Sequence, residues 1–113
     1  SSIWERIERY VNHLGDKFWY GMDKPPISKP INEYFNKLYF NMAGREIGRG
    51  TVKCALTNIS PKRLVFGTDY PPNYVDDPKG VKSYIEFIRS LEMDSEDIDA
   101  MLGKNAADLL GLG

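Results

Sequence analysis

One carboxylate in this chain stands where parallel α/β proteins do chemistry. The segment Arg63-Leu64-Val65-Phe66-Gly67-Thr68-Asp69-Tyr70-Pro71-Pro72 joins an apolar run to a glycine, an aspartate and two prolines. Leu64, Val65 and Phe66 are consecutive, not alternating, which is the pattern of a strand covered on both faces. Asp69 therefore falls just past the carboxyl end of a buried strand, where ligands and catalytic residues gather in parallel α/β folds. Gly67 lets the backbone pass close to a neighbour or ligand, and Pro71 and Pro72 stiffen the exit. A carboxylate in that place suits a divalent metal, or a base acting on metal-bound water. It equally suits the plain closing of a turn, and residue type and position alone leave both readings open.

The other chemistry-bearing residues are more scattered. His13 lies mid-helix between Asn12 and Leu14; it reads as a ligand or proton shuttle, or as a surface histidine placed favourably near a helix C-terminus. Gly44-Arg45-Glu46-Ile47-Gly48-Arg49-Gly50 has the glycines and cations of a phosphate cradle, but no Walker or dinucleotide spacing, so it reads as a strand-to-helix turn. Arg45 within it is a candidate for gripping a substrate carboxylate through a bidentate pair. The acidic stretch Glu92, Asp94, Glu96, Asp97, Asp99 fails as a calcium loop, because the sixth and twelfth positions from Asp94 are Asp99 and Asn105. It reads instead as carboxylates at a helix N-terminus. Cys54 has no neighbouring histidine and reads as an inert packing residue. Trp4, Phe18, Trp19 and Tyr20 form either a local cluster over the first helix or a contact with another part of a larger assembly.

These residues need elements to hold them. Residues 1–14 carry helical spacing in Ile3, Trp4, Ile7, Tyr10, Val11 and Leu14, with Gly15 as a C-cap. Residues 15–36 hold Pro25, Pro26 and Pro30 and read as a long loop with a turn at 32–36. Residues 37–43 alternate Leu38, Phe40 and Met42 with Tyr39, Asn41 and Ala43, a strand pattern. A short helix follows at about 50–59 with Val52, Ala55, Leu56 and Ile59 on one face, and then the second strand at 63–67. Asp77-Pro78 reads as an N-cap with proline at the first helical position, opening a helix that buries Val81, Tyr84, Ile85, Ile88 and Leu91. Asp94 caps the next helix, which buries Ile98, Met101 and Leu102 and stops at Gly103; Asn105 caps a last one at 106–110.

Composition bounds what such a chain does. Its 113 residues suffice for one domain, and 42% hydrophobic with 27% charged residues is an ordinary globular mix. A net charge of −1 gives no electrostatic footprint for nucleic acid or an anionic membrane. No uncharged run approaches the ~20 apolar residues of a membrane span. The single cysteine excludes an internal disulfide framework. With no charged-then-apolar leader at its start, the chain is expected to be cytoplasmic. Strand–helix–strand order with a buried second strand implies a parallel α/β arrangement. Two strands, however, leave edges and apolar faces open. The chain is therefore expected to be part of a longer protein, and to self-associate or to pack on further segments.

Three stretches carry a family resemblance. Phe66-Gly67-Thr68-Asp69-Tyr70-Pro71, reached through Ser60-Pro61-Lys62-Arg63, resembles the last barrel strand of the amidohydrolase-2 type of metal-dependent hydrolases and decarboxylases, a group that includes enzymes like aminocarboxymuconate semialdehyde decarboxylase. Leu102-Gly103-Lys104-Asn105-Ala106-Ala107-Asp108-Leu109-Leu110-Gly111-Leu112 looks like that family's C-terminal helix pair, with its Gly-x-Asn-Ala signature, and residues 38–44 are similar to the preceding barrel strand. The resemblance covers about residues 37–113. It implies the C-terminal segment of a (β/α)8 barrel, with about two parallel strands plus flanking helices. It further implies a divalent metal in the intact protein, zinc by expectation, and a role for Asp69 as metal ligand or catalytic carboxylate. The family's His-x-His pair has no counterpart here, so this chain alone is expected to bind no metal tightly and to turn nothing over. The implied activity is hydrolysis or non-oxidative decarboxylation of a small carboxylated cyclic or aromatic substrate. The alternative is a non-catalytic α/β module used for packing or association.

Overall fold

The computed structural model describes residues 5–9, 28–43 and 48–112. His13, Gly15, Arg45, Trp4, Phe18, Trp19 and Tyr20 lie outside them, as do residues 44–47 of the glycine-arginine turn. The chain divides into two units, Ser1–Leu38 and Tyr39–Gly113.

In the first unit residues 5–9 are helical (α1) and expose Glu5, Arg6, Ile7 and Arg9. The turn expected at 32–36 is a short helix, Ile31–Phe35 (α2). Pro30 opens it with extended backbone, and its carbonyl accepts Glu33 N–H at 3.0 Å. Proline suits that place because it needs no amide partner there.

The second unit holds the strands. β1 (Phe40–Asn41) and β2 (Leu64–Val65) pair in parallel, with Phe40 opposite Leu64 and Asn41 opposite Val65. Both are shorter than their sequence patterns. Lys37 and Leu38 still donate to Tyr34 and Phe35 carbonyls in the exit from α2, so Leu38 is 53% exposed and not a core residue. At the other strand, Pro61–Arg63 form a 3-10 turn, capped by the Ser60 hydroxyl accepting Lys62 N–H, and extension begins only at Leu64. α3 (Gly48–Ala55) connects the strands and buries Val52. Cys54 is exposed on it and free, so the packing role does not hold.

α4 (Gly80–Arg89) starts later than Asp77-Pro78 suggests. Asp77 instead accepts Gly80 N–H at 2.9 Å in a turn that seats Gly80 against the buried Tyr74 ring, where a Cβ would collide. α5 (Ser95–Asp99) has Asp94 in the N-cap position, its carbonyl accepting Asp97 and Ile98 N–H, but without a side-chain cap. The helix does not stop at Gly103. A π-helical turn, Ala100–Lys104, carries it into α6 (Asn105–Leu109), so Asn105 is a buried residue inside a helix and not an N-cap.

The wide turn has a local consequence. Asn105 N–H, which an α-helix would pair with Met101, donates to Ala100 instead. Met101's carbonyl accepts Phe66 N–H at 3.0 Å. The Asn105 side-chain amide meanwhile donates to the Pro61 and Leu64 carbonyls, both at 2.8 Å. Val65's carbonyl faces β1, accepting Met42 N–H at 2.9 Å, so the main-chain groups of Leu64 and Phe66 point away from β1. The C-terminal helix thus satisfies the outer edge of β2.

The core of the second unit draws on α3, β2, α4, α5, the π-helical turn and the residue after β1. Ile88 and Met101 are fully buried and Leu64 and Val52 are 2% exposed, with Met42, Phe87, Leu91 and Ile98 around them. Tyr84 reaches across to donate its hydroxyl to the Met42 carbonyl at 2.8 Å. Among the described residues no helix is long and apolar enough to cross a membrane.

Candidate functional site

Beyond Val65 the chain leaves the sheet through Phe66 and Gly67. Gly67 makes the approach close: a Cβ there would meet the Asn41 side chain, at the matching end of β1, and Asn41 would have to shift. Asn41 is itself fixed, its Oδ1 accepting Ala43 N–H at 2.7 Å. The two strand ends thus bring Asn41 and the start of the Asp69 loop together.

Asp69 sits two residues further on, exposed, with a φ of 52°. Left-handed backbone is costly for most side chains but tolerated by aspartate. The conformation is held from both sides. Thr68 Oγ1 accepts Tyr70 N–H at 3.2 Å, and Asp69's carbonyl accepts Asn73 N–H at 3.4 Å. Asn73 also donates its side-chain amide to Asp69 Oδ2 at 3.2 Å. Asn73 lies on the 3-10 turn Pro72–Tyr74, which is anchored by buried Tyr74, and the Tyr70–Pro71 bond between them is cis.

The result is a solvent-facing carboxylate at the carboxyl end of a parallel strand, with one oxygen held by an amide donor. Such a group can ligate a hard cation through an oxygen or carry a proton. It is one ligand only. Among the described residues no three His, Cys, Asp or Glu side chains come together to hold a metal. A catalytic zinc takes about three protein ligands, so the described residues by themselves do not fit that centre. The acidic residues 94–99 stay at the start of α5, where Glu96 and Asp97 occupy the first turn.

The structure therefore places Asp69 as its sequence pattern indicates, and leaves Arg45 and His13 outside the described residues. Asn41 and Asn73 emerge as residues that sequence reasoning missed. Asn73, four residues after Asp69 beyond two prolines, was visible as an asparagine in a turn; nothing in the pattern assigned its amide to the carboxylate.

The comparison with protein families matches this chain to the amidohydrolases over residues 2–112. The chain belongs to the amidohydrolase family. No curated protein matches it significantly. Membership carries metal-dependent hydrolase-like chemistry at the level of the superfamily, whose members commonly bind divalent metals and typically fold as (β/α)8 barrels. The two parallel strands and flanking helices of this amidohydrolase chain are consistent with part of such a barrel.

Proposed function

We propose that this amidohydrolase chain is the C-terminal segment of a barrel enzyme. In it, Asp69 is the carboxylate that the last strand contributes to the reaction centre. The observation that carries the reading is the exposed Asp69 held by Asn73 at the carboxyl end of β2, in a chain of this family. Asp69 supplies one oxygen ligand or one proton-carrying group, and the remaining donors for a divalent ion, zinc in this proposal, come from outside the described residues. The substrate class is a small carboxylated cyclic or aromatic molecule, hydrolysed or decarboxylated, with Arg45 as the grip for its carboxylate. The enzyme is cytoplasmic in this reading.

The sheet edges support an incomplete unit. Asn41's main-chain groups face away from β2 and have no partner among the described residues, so a preceding strand adds there. The outer edge of β2 is already engaged, and closure onto a first strand requires Phe66 N–H to exchange Met101's carbonyl for a strand carbonyl. Exposed Leu109, Leu110 and Leu112, at 54%, 70% and 74%, favour association as the accompanying behaviour of the isolated chain.

The experiment pairs two measurements. Calorimetric zinc titration of the 113-residue chain should show no micromolar binding; micromolar binding by a monomer would overturn the view that the site is completed elsewhere. In the intact enzyme Asp69→Asn should remove most activity, and full activity would overturn the role given to Asp69.

A further inference from the structure

A groove that Asp69 does not line runs between α3 and the end of α4, with a volume of about 660 Å³. Its apolar lining comes from Leu56, Phe87, Leu91 and Met93. Phe87 and Leu91 belong to the core, and Leu56 and Met93 pack on its margin, so the floor is set by the fold. Its size falls in the roughly 300–1,000 Å³ range of small-molecule sites.

The charges at its rim are unbalanced. Arg49 and Lys53 both line it and are four residues apart on α3, so they share a helix face. Neither forms an ion pair among the described residues, whereas Lys29 and Lys82 are paired with Glu33 and Glu86. Arg49's guanidinium lies 5.3 Å from the centre of the Phe87 ring, which fixes a cation directly over the apolar floor. Glu92 lines the groove without pairing to either cation. The Ser90 hydroxyl is spent on the Phe87 carbonyl at 2.7 Å. Among the described residues, two cations against one carboxylate leave one positive charge unmatched beside the apolar floor.

We propose that this groove binds an amphipathic monocarboxylate of the acyl type, its carboxylate between Arg49 and Lys53 and its chain along Leu56, Leu91 and Met93. A monoanion neutralises the surplus charge, and a flexible chain suits a floor of leucine and methionine. The site is independent of Asp69 chemistry and stands whether or not that reading does.

The test is a titration of the 113-residue chain with octanoate and, separately, octanamide, followed by amide chemical shifts. Octanoate should shift Leu56, Ser90, Leu91 and Met93 saturably, and octanamide should bind several-fold more weakly. Lys53→Gln, which removes no ion pair or side-chain hydrogen bond among the described residues, should weaken octanoate by about fivefold, the upper end for a solvent-accessible ion pair. Lys82→Gln should leave it unchanged. Equal binding of octanoate and octanamide would overturn the proposal, as would unchanged affinity in Lys53→Gln or shifts confined to Leu109, Leu110 and Leu112.

Discussion

The two ends of β2 are built on opposite principles. At its amino end, the Pro61 and Leu64 carbonyls are both taken by the side chain of Asn105, a residue 7% exposed inside the C-terminal helix. At its carboxyl end, Asp69 faces solvent in left-handed backbone, tied by hydrogen bonds from Asn73. The first end has its buried side-chain amide and two strand-end carbonyls paired; the second leaves a carboxylate available to something else. Parallel barrels divide labour in this way, with stability at the amino ends of strands and chemistry at the carboxyl ends. The comparison teaches that the two ends of a strand of two paired residues already differ in this way, and the chemical role of the carboxyl end is the proposal that the following measurements test.

The largest expected effect lies at the amino end. Asn105→Ala removes two hydrogen bonds and leaves the Leu64 carbonyl without its donor, the Pro61 carbonyl keeping Leu64 N–H, and should cost about 2–4 kcal/mol in urea unfolding. Asn105→Asp should cost more, because a carboxylate cannot donate and faces two carbonyl oxygens. A loss well under 1 kcal/mol for Asn105→Ala would erase the contrast between the two ends.

A middle-sized effect lies at the residue that follows β1. Tyr84→Phe loses the bond to the Met42 carbonyl and should cost about 1 kcal/mol. Burial, with a smaller contribution from Tyr74, raises the Tyr84 pKa above its ordinary value. The folded state therefore holds the phenol proton more tightly than the unfolded chain does. That share of stability is present below the unfolded pKa and is lost as pH rises through the folded one. Unfolding midpoints measured from neutral to alkaline pH should fall more steeply in the wild type than in Tyr84→Phe.

The smallest effect is at Asp69. Asp69→Gly relieves the positive φ while losing the Asn73 side-chain bond, so stability should move by no more than about 1 kcal/mol in either direction. A larger loss would make Asp69 a structural residue and break the comparison from the other side.

What was legible in the sequence follows from which signals are local. The parallel pair was readable from the apolar run Leu64-Val65-Phe66 and from Phe40 and Met42, although of the run only Leu64 is buried and Val65 and Phe66 are half-buried. Strand limits were not, since Pro61 and the exit from α2 consume residues at the ends of each pattern. Asp77-Pro78 carried a true helix-start signature, yet the packing of Tyr74 against Gly80 moves the start to Gly80. Asn105 looked like a cap because asparagine usually is one; its real partners are over 40 residues away in the chain. The π-helical turn that aims it at β2 leaves no mark in the spacing. The position of Asp69 just past β2 was legible because strand, glycine, aspartate and prolines are contiguous, and Asn73's amide was not because its bond depends on a turn geometry.

The central claim is that Asp69 is placed for chemistry and not for packing. The direct test is Asp69→Asn in the intact amidohydrolase, with turnover and unfolding midpoint measured on the same preparation. The account predicts that turnover falls by about 100-fold or more while the midpoint stays within the scatter of the wild type. Undiminished turnover, or a loss of turnover that only tracks a collapse in stability, would contradict it.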